Sequence, residues 1–137
     1  MSDLPPKKSA NRLHHDVEVT DAEHSFPIVS QAFCSALPVA YSQVGRPHWA
    51  RFASLVLEAA YEATLSAAVL NARRGRSNIV LLTSLGGGAF GNDEQWIHGA
   101  IARGLDIVRE SALDVRLVSY GPPSPGFCAI ARQFGSD

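Results

Sequence analysis

Sulfur is scarce in this chain of 137 residues, with two cysteines and one methionine. Cys34 and Cys128 stand far apart, without CxxC or Cys/His spacing, which excludes a disulfide framework and a zinc pattern. Cys34, within Phe33-Cys34-Ser35-Ala36, reads as a buried structural thiol. Charge is also sparse, at 18% of residues and a net −1, so no global field draws nucleic acid or an anionic membrane. An anion has to be held by a local site. No apolar run approaches the roughly 18–20 residues of a membrane span. Met1 to Lys8 lacks the apolar stretch of a signal peptide. The expectation is therefore a cytoplasmic protein that engages neither nucleic acid nor membrane. His14 and His15 are adjacent and face opposite sides of a strand, and His98 lies mid-helix, so neither a metal site nor a cofactor is expected. Internal repeats are absent as well.

What is present is one stretch of dense chemistry inside a globular pattern. Residues 1–11 are polar and proline-containing and read as a disordered lead-in. Leu13 to Thr20 alternates weakly, with Val17 and Val19 on one face. Ile28-Val29 and Ala32 to Leu37 suggest one or two short strands closed by Pro38. A long helix is predicted from Pro47, which suits a first turn, to Ala72, with Arg73-Arg74-Gly75 as its stop. Its polar stripe is Arg51, Ser54, Glu58, Glu62 and Ser66, with Glu58 and Glu62 expected to face solvent. Arg73, Arg74 and Arg76 form a small basic cluster where cations suit a helix end.

Asn78-Ile79-Val80-Leu81-Leu82-Thr83 predicts a central parallel strand covered on both faces. A helix then begins at Asn92, the expected N-cap, with Gln95 in capping-box position. Leu113 to Tyr120 predicts the next strand, which completes a βαβ unit in an α/β domain. Residues 122–137, opening Pro122-Pro123-Ser124-Pro125-Gly126, read as a loose tail.

Between strand and helix lies Gly86-Gly87-Gly88-Ala89-Phe90-Gly91-Asn92. Glycines here allow positive φ and close approach of a ligand to the backbone. Their amides can converge on an anion, and the following helix N-terminus adds unsatisfied N–H groups. The loop has no Lys-Ser/Thr and is not a Walker A motif. Gly86, Gly88 and Gly91 match GxGxxG only by register, and the acid expected about 20 residues on falls at Asp114, at the start of the next strand. A tight structural turn is the alternative. Phe90 either stacks on a ligand ring or anchors the loop. Asp93 reads as a first-turn acid that has to point away from a bound anion.

Leu82 to Asn92, with Trp96-Ile97 and Ala100-Ile101, resembles the macrodomain superfamily. The chain is more closely similar to a divergent macrodomain-like family of microbial proteins, some of them bacterial effectors that are ADP-ribosyl hydrolases. Gln31 to Ser42, Glu58 to Thr64, Leu113 to Gly121 and, more loosely, Leu13 to Thr20 share the likeness, which covers residues 12–121. The resemblance implies a three-layer α/β/α sandwich, of which this chain carries the C-terminal half. It implies ADP-ribose or an ADP-ribosylated protein as partner, with Gly86, Gly87, Gly88, Ala89, Phe90, Gly91 and Asn92 around the diphosphate. A partner chain is one source for the other half of the fold. Hydrolysis of a glycosidic bond needs a base to place water and a carboxylate to stabilise charge on the sugar. Asp16, in the His14-His15-Asp16 segment, and Asp21 are the catalytic candidates, with solvated loop acids as the plainer alternative. A module that binds ADP-ribose without catalysis, and a structural fragment without ligand, stand beside the enzyme.

Overall fold

The computed structural model describes residues 12–135. The lead-in expected over 1–11 and the last two residues of the tail lie outside the described residues. The chain is of mixed α/β content and divides between Cys34 and Ser35 into two compact units.

The first unit is an antiparallel hairpin of β1 (Arg12–Glu18) and β2 (Ile28–Phe33). Its register runs Arg12↔Phe33 to His14↔Gln31, slips, and resumes at Val17↔Val29. The slip is a bulge at Asp16, whose φ of 55° lies in the left-handed region that Asp tolerates better than most side chains. The Asp16 amide donates to Ser30 Oγ at 3.3 Å across the hairpin.

The second unit holds a 3-10 turn (Val39–Tyr41), α1 (Arg46–Arg73), β3 (Ile79–Leu82), α2 (Glu94–Ile107), β4 (Asp114–Leu117) and α3 (Pro125–Phe134). α1 keeps its expected bounds within a residue at each end. Pro47 sits in its first turn and Gly75, at φ 83°, follows its last. One face of α1 (Leu57, Tyr61, Leu65) packs with Ile97, Ala100, Ile101 and Leu105 of α2. The polar stripe of α1 is interrupted where Glu62 accepts from Arg103 of α2 at 2.7 Å, so Glu62 is half-buried and paired rather than simply solvated. Pro47–Arg73 is long and apolar enough to cross a membrane by length and composition, contrary to the expectation that no apolar run approaches that length. Scattered polar residues lower its mean hydropathy only to 1.3 in the best window, of which 28% is buried.

β3 and β4 pair in parallel, Ile79↔Asp114 through Leu82↔Leu117, with α2 between them in sequence. This is the βαβ unit that the residue pattern predicts. The two-sided burial expected of β3 is not observed. Val80 and Leu82 face the core, whereas Ile79 and Leu81 are exposed. Among the described residues of this unit, the side chains packed from α1, α2 and α3 meet the face of the sheet that carries Val80 and Leu82.

The loose tail expected over 122–137 is also corrected. Ser124 caps α3 by accepting from the Phe127 amide at 3.2 Å, and Pro125 occupies its first turn. Phe127 and Ile130 are buried in the common core. The proline cluster that breaks periodicity is the entry to this helix, where proline is preorganised. An apolar groove of about 470 Å³ runs between β4 and α3, lined by Val115, Leu117, Phe127, Ile130 and Phe134.

Candidate anion-binding site

The segment between β3 and α2 is built as a closed turn with its outer rim left open. Tyr61 of α1 secures its start, since its buried hydroxyl donates to Thr83 O at 2.5 Å and accepts from the Leu85 amide at 2.9 Å. Gly86 then turns at φ 73° and Gly91 at φ 69°. Both positions also lack room. A Cβ at Gly86 would lie 2.3 Å from Ala36 Cβ, and one at Gly91 would lie 2.8 Å from Ala40 Cβ. Conformation and space therefore both demand glycine at these two positions.

The amides divide into an inner and an outer set. Gly87 donates to Ser84 O, Gly91 to Gly88 O and Asn92 to Gly86 O, which consumes them within the loop. Gly88, Ala89 and Phe90 are exposed, and among the described residues their three consecutive amides donate no hydrogen bond. Of the three amides at Gly86 to Gly88, that of Gly87 is spent on Ser84 O, while those of Gly86 and Gly88 donate no hydrogen bond among the described residues. Gly88 has nothing within 4 Å of a built Cβ and no positive φ. Neither packing nor backbone conformation requires glycine there, and its missing side chain leaves the approach to the three amides clear.

Asn92 is not the helix cap. That role falls to Asp93, whose Oδ1 accepts from the Gln95 amide at 2.8 Å, so α2 begins one residue later than expected at Glu94. The Asp93 carboxylate offsets the positive end of α2. An anion at this loop therefore depends on the outer amides more than on the helix end. Asn92 is instead buried, and its Nδ2 donates to Leu37 O at 2.8 Å and to Gly86 O at 3.2 Å. Its Oδ1 is buried with no partner among the described residues. Asn92 thereby ties the glycine loop to a segment more than fifty residues earlier.

That tie is one of several. The Ala40 amide donates to Phe90 O at 2.8 Å, and the buried Ala36 packs on Gly86. The structure thus brings together two distant stretches of sequence, the Ala36–Tyr41 block and the glycine loop. Phe90 is partly exposed and meets Tyr41 edge to face at 6.4 Å. Its carbonyl secures the loop, so anchoring falls to the backbone and leaves the ring at the surface.

The catalytic candidates lie in the hairpin unit. Asp16 is inside β1, at the bulge, rather than ahead of the strand, and Asp21 follows in the turn. Both are exposed. Ala36, Ala40, Tyr41 and Tyr61 adjoin the loop, and sequence reasoning does not mark them as site residues. Their only signals in sequence are two small residues at the close approaches and two tyrosines within segments that share the family likeness. No family model matches the chain, and neither do any curated protein or any solved structure.

Proposed function

We propose that the chain recognises ADP-ribose through its diphosphate, held by the outer amides of the loop between β3 and α2. The observation that carries this is the run of unpaired amides at Gly88, Ala89 and Phe90, reached over a glycine that the local fold does not need. Backbone amides fixed by a closed turn bind phosphate oxygens with little reorganisation. The macrodomain-like resemblance at the same residues supplies the identity of the ligand and a three-layer architecture, whose further layer would cover the bare face of β3.

Titration calorimetry with ADP-ribose tests the proposal directly. Wild-type protein is expected to bind, and Gly88→Glu to lose binding through both bulk and charge while keeping its fold, because a side chain at 88 meets open space. Equal binding by the two proteins would refute the loop as the diphosphate site. Removal of ADP-ribose from modified proteins is the activity that the resemblance adds, with Asp16 as base. An Asp16→Ala protein that binds but does not turn over would place this chain among the enzymes. A binding-only module has no activity to lose.

A second reading rests on Ile79 and Leu81, exposed apolar side chains on the uncovered face of β3. In this reading a partner chain completes the fold, and light scattering would give a mass above that of one chain. A monomer at every concentration would end it.

A further inference from the structure

We propose that the free edge of β4 is a strand-docking site. Its occupant is an extended segment of another polypeptide, with apolar residues at alternate positions and an acidic residue beside them. The proposal does not depend on the ADP-ribose reading, and it concerns an edge and a groove rather than the bare face of β3. The backbone gives the first observation. β3 and β4 form a two-stranded parallel sheet, with no further strand beside either among the described residues. Parallel sheets are ordinarily built of more strands and covered. The Asp114 amide donates to Asn78 O and the Val118 amide to Leu82 O, so alternate residues of β4, counted from Asp114, turn their backbone groups to β3. Val115 and Leu117 lie between them and direct N–H and C=O away. Among the described residues these groups have no hydrogen-bond partner. The outer edge of β3 differs, because its Ile79 amide is spent on Ser77 Oγ at 3.1 Å. β4 is thus the edge with both outward amides open to a further strand.

Second, the apolar groove of about 470 Å³ borders this edge. Val115 and Leu117 form its wall on the β4 side, and Phe127, Ala131 and Phe134 of α3 stand across from them. The residues with a free backbone therefore also line the cavity. A strand bonded to them would lie about 4.8 Å from β4, with side chains projecting alternately to the two faces. Those on the core face would enter the groove, whose volume is many times the ~30 Å³ share of a water molecule. Third, Arg109 and Arg116 line the groove and no acid does. Arg109 lies over the Phe134 ring at 5.1 Å, and each arginine has an acid nearby, Asp106 and Asp114 respectively. A guanidinium has five donors, so both keep N–H groups for a further carboxylate. The same charges disfavour a second copy as occupant. Two β4 edges paired about a two-fold axis, Val115 against Leu117, would set Arg116 opposite Arg116, and like charges so placed destabilise a strand pair.

The probe is a seven-residue peptide with valine at its second, fourth and sixth positions, threonine between them and glutamate at both ends. Calorimetry and hydrogen exchange by NMR on the full chain read its binding. In the free protein the Val115 and Leu117 amides are expected to exchange faster than those of Asp114, Arg116 and Val118, and the peptide is expected to slow them. Two analogues carry N-methyl groups on one or the other alternate set of backbone nitrogens. One is expected to bind about tenfold more weakly, because its blocked nitrogens face β4, and the other to match the parent peptide. Ala131→Phe, at an exposed position of α3 that lines the groove, is expected to weaken binding about tenfold with unchanged circular dichroism. Gly88→Glu is expected to bind the peptide as wild type does, which separates this site from the diphosphate loop. Equal affinity for the two analogues overturns strand pairing and leaves a general apolar cavity, and a peptide that does not bind the folded chain overturns the site. A dimer by light scattering whose Val115 and Leu117 amides are already protected overturns the foreign segment in favour of a second copy.

Discussion

At the scale of single residues, the site depends on which groups are spent inside the loop. Asn92 shows this most clearly. Both hydrogen bonds of its side chain use Nδ2 as donor, to Leu37 O and Gly86 O. A carboxylate at this position has no proton to give and would face two carbonyl oxygens. Asn92→Asp is therefore expected to destabilise the protein by about 2–3 kcal/mol, more than Asn92→Ala, from the cost of stranded buried polar groups. Urea unfolding of the two variants would check the order, and a more stable Asp variant would contradict it. At the bare face of the sheet, Arg116 donates to Asp114 at 2.7 Å, and this hydrogen bond holds the carboxyl below its usual range. A depressed folded-state value gives stability that is present above the unfolded value, near pH 4, and is lost as pH falls through the folded one. The unfolding midpoints of wild type and Asp114→Asn should differ slightly at pH 6 and converge as pH falls through the folded-state value. The pair is exposed, so the gap is small.

At the scale of elements, close approach between helices decides which residues are tolerated. Gly104 sits inside α2, where glycine costs roughly 1 kcal/mol relative to alanine. A Cβ there would lie 2.8 Å from Leu65 Cδ1 of α1, in the most tightly buried part of the core. Overpacking of about 1–3 kcal/mol should outweigh the gain in helix propensity. Gly104→Ala is expected to lower the melting temperature in wild type and to raise it relative to the parent in a Leu65→Ala background. A loss of the same size in both backgrounds would show that Leu65 is not what keeps position 104 small. The caps follow the same local logic. Asp93 and Ser124 each satisfy an amide of the helix they open, worth about 1 kcal/mol apiece.

At the scale of the whole chain, the buried core is made of side chains from Ala36 onward, and its packed neighbours lie in the same stretch. The unit that begins at Ser35 thus has a core of its own. A protein comprising residues 35–137 is expected to unfold cooperatively by circular dichroism and to retain ADP-ribose binding. The same protein separates the loop from the acids of the hairpin, because any hydrolysis that needs Asp16 or Asp21 has to disappear with them. Loss of binding in a truncated protein that still folds would mean that the hairpin contributes to ligand recognition.

The sequence alone determined the elements whose signals are local. α1 was legible from Pro47, its apolar periodicity and the Arg-Gly stop, and the parallel βαβ unit from two short apolar runs around an amphipathic helix. The glycine loop was legible as a loop because four glycines and a helix start lie within seven residues. What only the tertiary structure decided concerns partners distant along the chain. Gly86 and Gly91 are required by Ala36 and Ala40, Asn92 is a tie to Leu37 rather than a cap, and Tyr61 anchors the loop from α1. The covered face of β3 could not be read from Ile79-Val80-Leu81-Leu82, since a continuous apolar run carries no alternation to reveal a bare side. The tail became α3 because Phe127 and Ile130 find a core to enter, and its prolines mark only the point of entry. Local propensity and spacing are properties of neighbours in sequence. Which amides remain unpaired, and therefore what the loop can bind, is settled only when distant segments have taken their hydrogen bonds.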